Sequence, residues 1–221
     1  MSNKYVDKAR EGMGTIEKLI SGLPGIKDYR NKDLRRDADY RLRQMIAGGL
    51  EEQKARLYDL QKQLLKGGGL SWIDDVDGAV TKLQTLTDRV KTASYGYAGL
   101  FNAQKIRDVQ LDALHRFDVA LMARVQEVKD AIAGLEDAIS QKDGINSAID
   151  SLTAKLTELN NLFSQRSDAV DDPDLLTETS APALDDALLA AAFPTTDMDI
   201  NIDTGADTPA WDVGDTVNPT S

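Results

Sequence analysis

Residues 112–141 read DALHRFDVALMARVQEVKDAIAGLEDAISQ. Leu114, Phe117, Leu121, Val125, Val128, Ile132, Leu135 and Ile139 recur there in steps of three and four. That rhythm is a coiled-coil seam, because it holds one apolar stripe towards a partner helix over many turns. Helical patterning can be followed back to Asn102, which reads as an N-cap. The next stretch, 143–165, repeats the rhythm with Ile145, Ile149, Leu152, Leu156, Leu159 and Phe163. Lys142-Asp143-Gly144 reads as a break between the two.

Working outward towards the N-terminus, three more amphipathic segments are legible. Segment 72–92 carries Ile73, Val76, Val80, Leu83, Leu86 and Val90. Segment 28–66 carries Leu34, Ala38, Leu42, Met45, Leu50, Leu57, Leu60 and Leu64. Gly48-Gly49 reads as an interruption of it, and Gly67-Gly68-Gly69 as its end. Segment 4–21 has Val6, Ala9, Met13, Ile16, Leu19 and Ile20 on one side and stops at Gly22-Leu23-Pro24-Gly25. Each buried leucine or isoleucine is worth roughly 1.5–3 kcal/mol, so such stripes do not stay exposed. The seams must face one another or a second copy of the chain, and a homo-oligomer is expected.

The pattern predicts an all-α, elongated antiparallel helical hairpin or coiled-coil bundle of about five helices. In its simplest form the second and third segments make one arm and the fourth makes the other. Residues 92–101 are then the tip, and the first and fifth segments pack alongside. The helical domain is expected over 1–166.

After Arg166 the composition changes. Residues 167–221 hold thirteen acidic residues and no lysine or arginine. All 26 Lys+Arg therefore lie in 1–166, against the remaining 24 of 37 Asp+Glu. The body is near +2, and the net charge of −11 belongs to the tail. Such a composition predicts a disordered acidic tail. One apolar island interrupts it near 183–193, where Leu184, Leu188, Leu189 and Phe193 accompany a run of alanines between Pro182 and Pro194. Asp185 and Asp186 stand at the N-terminal end of that short helix, where its dipole favours negative charge. Trp211 is a second, weaker island.

Composition argues against several chemistries. With no cysteine there is no disulfide, thiolate site or cysteine nucleophile. One histidine, His115, cannot build a zinc site or supply the Glu-x-x-His pairs of a di-metal bundle, and it reads as a surface or seam-edge residue. No G-x-S-x-G is present, and the glycine clusters do not match phosphate-binding loops. Counting a calcium loop from Asp199 puts Thr204 where glycine is required and Ala210 where glutamate is required. No catalytic, cofactor or metal residue is assigned, and the chain reads as a non-enzyme. No apolar run is long enough to span a membrane, and the first residues lack the apolar core of a signal peptide. A cytoplasmic protein, with peripheral membrane contact as a variant, is expected.

Three surfaces remain as candidates for binding. Leu184, Leu188, Leu189, Phe193 and Trp211 in the tail suit a helix-in-groove contact with a protein partner. Arg30, Arg35, Arg36, Arg41 and Arg43 form the densest basic stretch, suited to an anionic membrane surface or to the chain's own tail. Local pairing, as in Asp39/Arg43 at i,i+4, competes with that use. Few aromatics interleave with these arginines, so nucleic acid is a poor fit. Tyr95, Tyr97 and Phe101 mark the expected hairpin tip.

The functional expectation is a non-enzymatic coiled-coil scaffold or adaptor that self-associates and recruits a partner through its acidic tail. The alternative rests on the order of parts. A short N-terminal helix, a long hairpin, further helices and an acidic end with a short helix resemble the membrane-remodelling proteins of the phage-shock protein A and ESCRT-III kind. That resemblance implies a peripheral membrane-remodelling or envelope-stress role. Gly67–Gly69 and the weakly basic first helix depart from it.

Overall fold

The computed structural model describes residues 20, 22–24, 32–93, 100, 106–177 and 180–192. Most of segment 4–21 lies outside them. The described elements are α1 (Lys32–Lys66), a 3-10 turn (Leu70–Trp72), α2 (Ile73–Thr92), α3 (Asp108–Gln141), α4 (Ile145–Asp171), a second 3-10 turn (Pro173–Leu175) and α5 (Asp186–Ala192). No strand occurs among the described residues. The all-α class is as the heptads require.

The topology differs from a single long hairpin. Helices α1 and α2 fold back on each other, as do α3 and α4, and the two hairpins pack side by side into a four-helix bundle. Pairing across them is parallel: Gly49 lies against Val125 and Arg56 bonds Glu136 at 2.8 Å, linking α1 to α3. Arg89 bonds Asn160 at 2.7 Å and stacks over Phe163, linking α2 to α4. The expectation that the second and third segments run on as one arm is therefore corrected. The chain reverses at Gly67–Gly69, where Gly68 sits at φ +82° and the Gly69 N–H donates to the Leu64 carbonyl at 2.8 Å. That bond closes a left-handed helix stop, and glycine accepts its backbone angle without steric cost.

The α3–α4 turn uses the same device with a less suitable residue. Asp143 N–H donates to Ala138 and Lys142 N–H to Ile139, with Lys142 itself at φ +56°. A side chain in that region is strained, so Lys142→Gly should stabilise the fold by about 0.5–1 kcal/mol after glycine's extra entropy is counted. Urea denaturation measures this, and a loss of stability would contradict the geometry.

The heptad seams close within one chain. Leu42, Leu50, Leu57, Val76, Leu83, Val90, Leu121, Val128, Leu135, Leu152, Leu159 and Phe163 all lie in one main core. A smaller core at the end opposite the two tight turns joins Ala38, Leu100, Leu111, Leu114, Phe117, Val170 and Leu176.

Three further expectations are corrected. Helix α1 runs through Gly48-Gly49 unbroken. Ile106 and Arg107 are not helical, so α3 starts at Asp108 and not near Asn102. Helix α4 continues five residues beyond Arg166, and chain order continues into Leu176. The acidic residues Asp168, Asp171 and Asp172 face solvent while Ala169, Val170 and Leu176 bury into the smaller core. Charge on one face hid a buried face on the other.

Candidate functional site: a C-terminal segment docked on the α3–α4 face

Past α4 the chain is fastened before it crosses the bundle. The Asp172 carboxylate accepts the Asp174 N–H at 3.2 Å, the Gln110 amide donates to the Pro173 carbonyl at 2.8 Å, and Leu100 N–H donates to Val170 at 2.9 Å. A compact turn follows, in which Thr177 N–H donates to the Ser180 hydroxyl at 2.8 Å. Asp185 then caps α5, its carboxylate accepting the Leu188 N–H at 2.8 Å, as an N-cap should. Leu184 and Leu188 turn inward and pack against the main core, each still partly exposed, and Leu189 is also partly exposed.

Between this segment and the bundle lies an open groove of about 490 Å³. Ala120, Ala123, Asn161, Leu162 and Gln165 line it from α3 and α4, and Pro182, Leu184 and Leu188 from the C-terminal side. Small residues on α3 leave room for the segment. Charge marks one rim: Arg124 meets Glu127 at 2.6 Å and Glu158 at 3.2 Å, while Lys155 meets Glu127 at 3.0 Å and Glu158 at 3.2 Å. Burial pushes the Glu127 carboxyl up, but hydrogen bonds from Arg124 and Lys155 outweigh it and hold the group below its ordinary value. Hydrogen bonds to Glu127 and Glu158 raise the Lys155 ammonium.

The basic stretch does not form one exposed patch. Arg35 is 1% exposed and donates to the Leu100 carbonyl, and burial lowers its pKa. Arg43 bonds Asp39 at 2.9 Å and donates to the Ala93 carbonyl at 2.5 Å. Both side chains are thus engaged by groups of the bundle itself. Arg36 and Arg41 are exposed. The described C-terminal segment rests on the α3–α4 face, away from the basic stretch expected to attract it. Arg30, Tyr95, Tyr97, Phe101, Phe193 and Trp211 lie outside the described residues. His115, expected at the surface or at the seam edge, is buried.

A charged layer within the bundle escaped the sequence reading. Arg166 is fully buried, its Nε 2.6 Å from the Asp118 carboxylate and its Nη1 2.8 Å from that of Asp39. Arg43 holds the other oxygen of Asp39. Three helices are thereby tied at one level. A signal for it existed. The α4 seam Ile145, Ile149, Leu152, Leu156, Leu159, Phe163 reaches Arg166 in its next step of three. On α3 the spacing Leu111, Leu114, Asp118, Leu121 puts Asp118 on the seam in place of Phe117. Phe117 points into the smaller core.

Among the described residues no helix is long and apolar enough to cross a membrane, and no three His, Cys, Asp or Glu side chains converge as a metal site. No family model, curated protein or solved structure matches this chain.

Proposed function

We propose that this chain is a non-enzymatic helical scaffold that recruits a protein partner through its C-terminal segment, with Leu184, Leu188 and Leu189 as the contact. One observation carries the reading: α5 is a seven-residue helix fastened to a finished bundle by leucines that remain partly exposed. Only two partly exposed leucines pack the segment onto the bundle, against the conformational entropy of ordering it. The docked state is marginal, and a partner with a deeper apolar site can take the helix over.

With the seams closed inside one chain, self-association has to run through other faces. The exposed apolar side chains Tyr40, Tyr58, Leu65 and Leu70 are available for it.

Leu188→Ala with Leu189→Ala tests the recruitment. The double variant should keep its helical circular dichroism and lose the proteins that the full chain retains on a column. Unchanged retention would end the proposal.

A further inference from the structure

The smaller core joins the C-terminal segment to a residue far from it in sequence. Leu176 lies five residues past the end of α4 and is 1% exposed. It shares its core with Leu100, which stands between α2 and α3 in the chain and is fully buried. Leu100 is held on both sides. Its N–H donates to the Val170 carbonyl of α4 at 2.9 Å, and its carbonyl accepts the Arg35 guanidinium of α1. The turn before Leu176 is fixed by the Gln110 amide of α3, which donates to the Pro173 carbonyl at 2.8 Å. Leu176 therefore roots the segment that docks on the α3–α4 face, and Leu100 fills the core in which it is rooted.

We infer that this smaller core is a latch, and that Leu100 sets how firmly the C-terminal segment stays docked. The reason is the length of the tether. With Leu176 seated, seven residues, 177–183, separate the root from Leu184, the first docked leucine. With Leu176 unseated, the root retreats to Asp171 at the end of α4, and the tether becomes the twelve residues 172–183. If Ala169 and Val170 leave the core as well, it becomes the seventeen residues from Ser167. Effective concentration falls roughly as the −3/2 power of the length of a flexible tether. Lengthening from seven residues to twelve or seventeen therefore lowers it about two- to fourfold. Truncating Leu100 opens a cavity in the core that Leu176 shares, and side chains facing a cavity lose contacts. A segment docked by two partly exposed leucines has little reserve against either loss. The inference rests on the docking of the segment and not on what it recruits, so it and the proposed scaffold role can fail separately.

The chain has no cysteine, so spin labels go only where cysteines are placed. Nitroxides on Asn146→Cys of α4 and Ala187→Cys of α5, both exposed positions, report docking in the full-length chain by double electron–electron resonance. The docked segment gives a narrow distance peak. Leu184→Ser with Leu188→Ser supplies the released reference, with a broad distribution. Leu176→Ala and Leu100→Ala should each lower the ratio of docked to free segment about two- to fourfold. Together they should do little more than the stronger one alone, because a latch already open cannot open again. Val76→Ala, in the main core near the tight turns, should leave the ratio unchanged. Circular dichroism checks that each variant folds, and Leu100→Val stands in if Leu100→Ala does not. An unchanged ratio in Leu176→Ala or in the folded Leu100 variant overturns the inference. Losses that multiply in the double variant overturn it too, since they mean two separate contacts. So does an equal loss in Val76→Ala, which means general loosening of the bundle. A parent chain without the narrow peak removes the docked segment and the latch with it.

Discussion

Replacing Arg166 with methionine is expected to remove about 3–5 kcal/mol of stability, measured by urea denaturation of the full chain. The side chain volume is nearly kept, so the cost is electrostatic. Methionine leaves the Asp118 carboxylate fully buried without the guanidinium 2.6 Å away. Asp39 fares better, because Arg43 still holds its second oxygen at 2.9 Å. Domains of ordinary size have only 5–15 kcal/mol in total, so this one change consumes a large part. The rescue is as informative as the loss. In the Arg166→Met background, Asp118→Val removes the carboxylate that has lost Arg166, and stability should return to within about 1–2 kcal/mol of the parent. Replacing a complete buried ion pair by apolar groups is often neutral or favourable. Additive losses would show that the two residues are not energetically coupled. A cost below 1 kcal/mol for the single change would mean that the layer is not dry. The pair's value then lies in register: a charged layer at one level penalises every slipped alignment of α1, α3 and α4, which an all-leucine seam would tolerate.

How far the sequence announces this molecule depends on the kind of signal. The α3 and α4 seams, the break at Lys142–Gly144 and the short helix near 183–193 follow from local periodicity and turn chemistry, and all three are present. The pairing of helices was not legible. Gly67–Gly69 ends a helix in either topology, and only the backbone at Gly68 and the 2.8 Å bond to Leu64 decide that the chain reverses there. The charged layer was missed for a different reason. A seam drawn through apolar residues alone leaves out Arg166 and Asp118, although their spacing places them in it. The acidic stretch after Arg166 was misjudged by net charge, which averages over the two faces of a helix. Val170 and Leu176 sit on the face that charge counting ignores. The groove depends on tertiary placement of Ala120, Ala123 and Leu188, which no local pattern encodes.

Joint replacement of Gly48, Gly78 and Gly134 by alanine should raise stability by about 2–3 kcal/mol, since glycine inside a helix costs about 0.8–1.0 kcal/mol relative to alanine. Each lies within a helix, on an exposed position, and a Cβ built there meets nothing within 4 Å. They sit on three different helices, so the gains should add. For a chain of this size the melting temperature should rise by about 5–12 °C. Gly49 is the control. A Cβ there lies 3.2 Å from the Val125 methyl of α3, so the packed valine must give by a few tenths of an ångström before alanine's propensity counts. Gly49→Ala should therefore gain nothing or lose stability, although it neighbours Gly48 in the same helix. If Gly48→Ala behaved like Gly49→Ala, α1 would be rotated from the orientation described, and the seam assignment of Asp39 would fall with it.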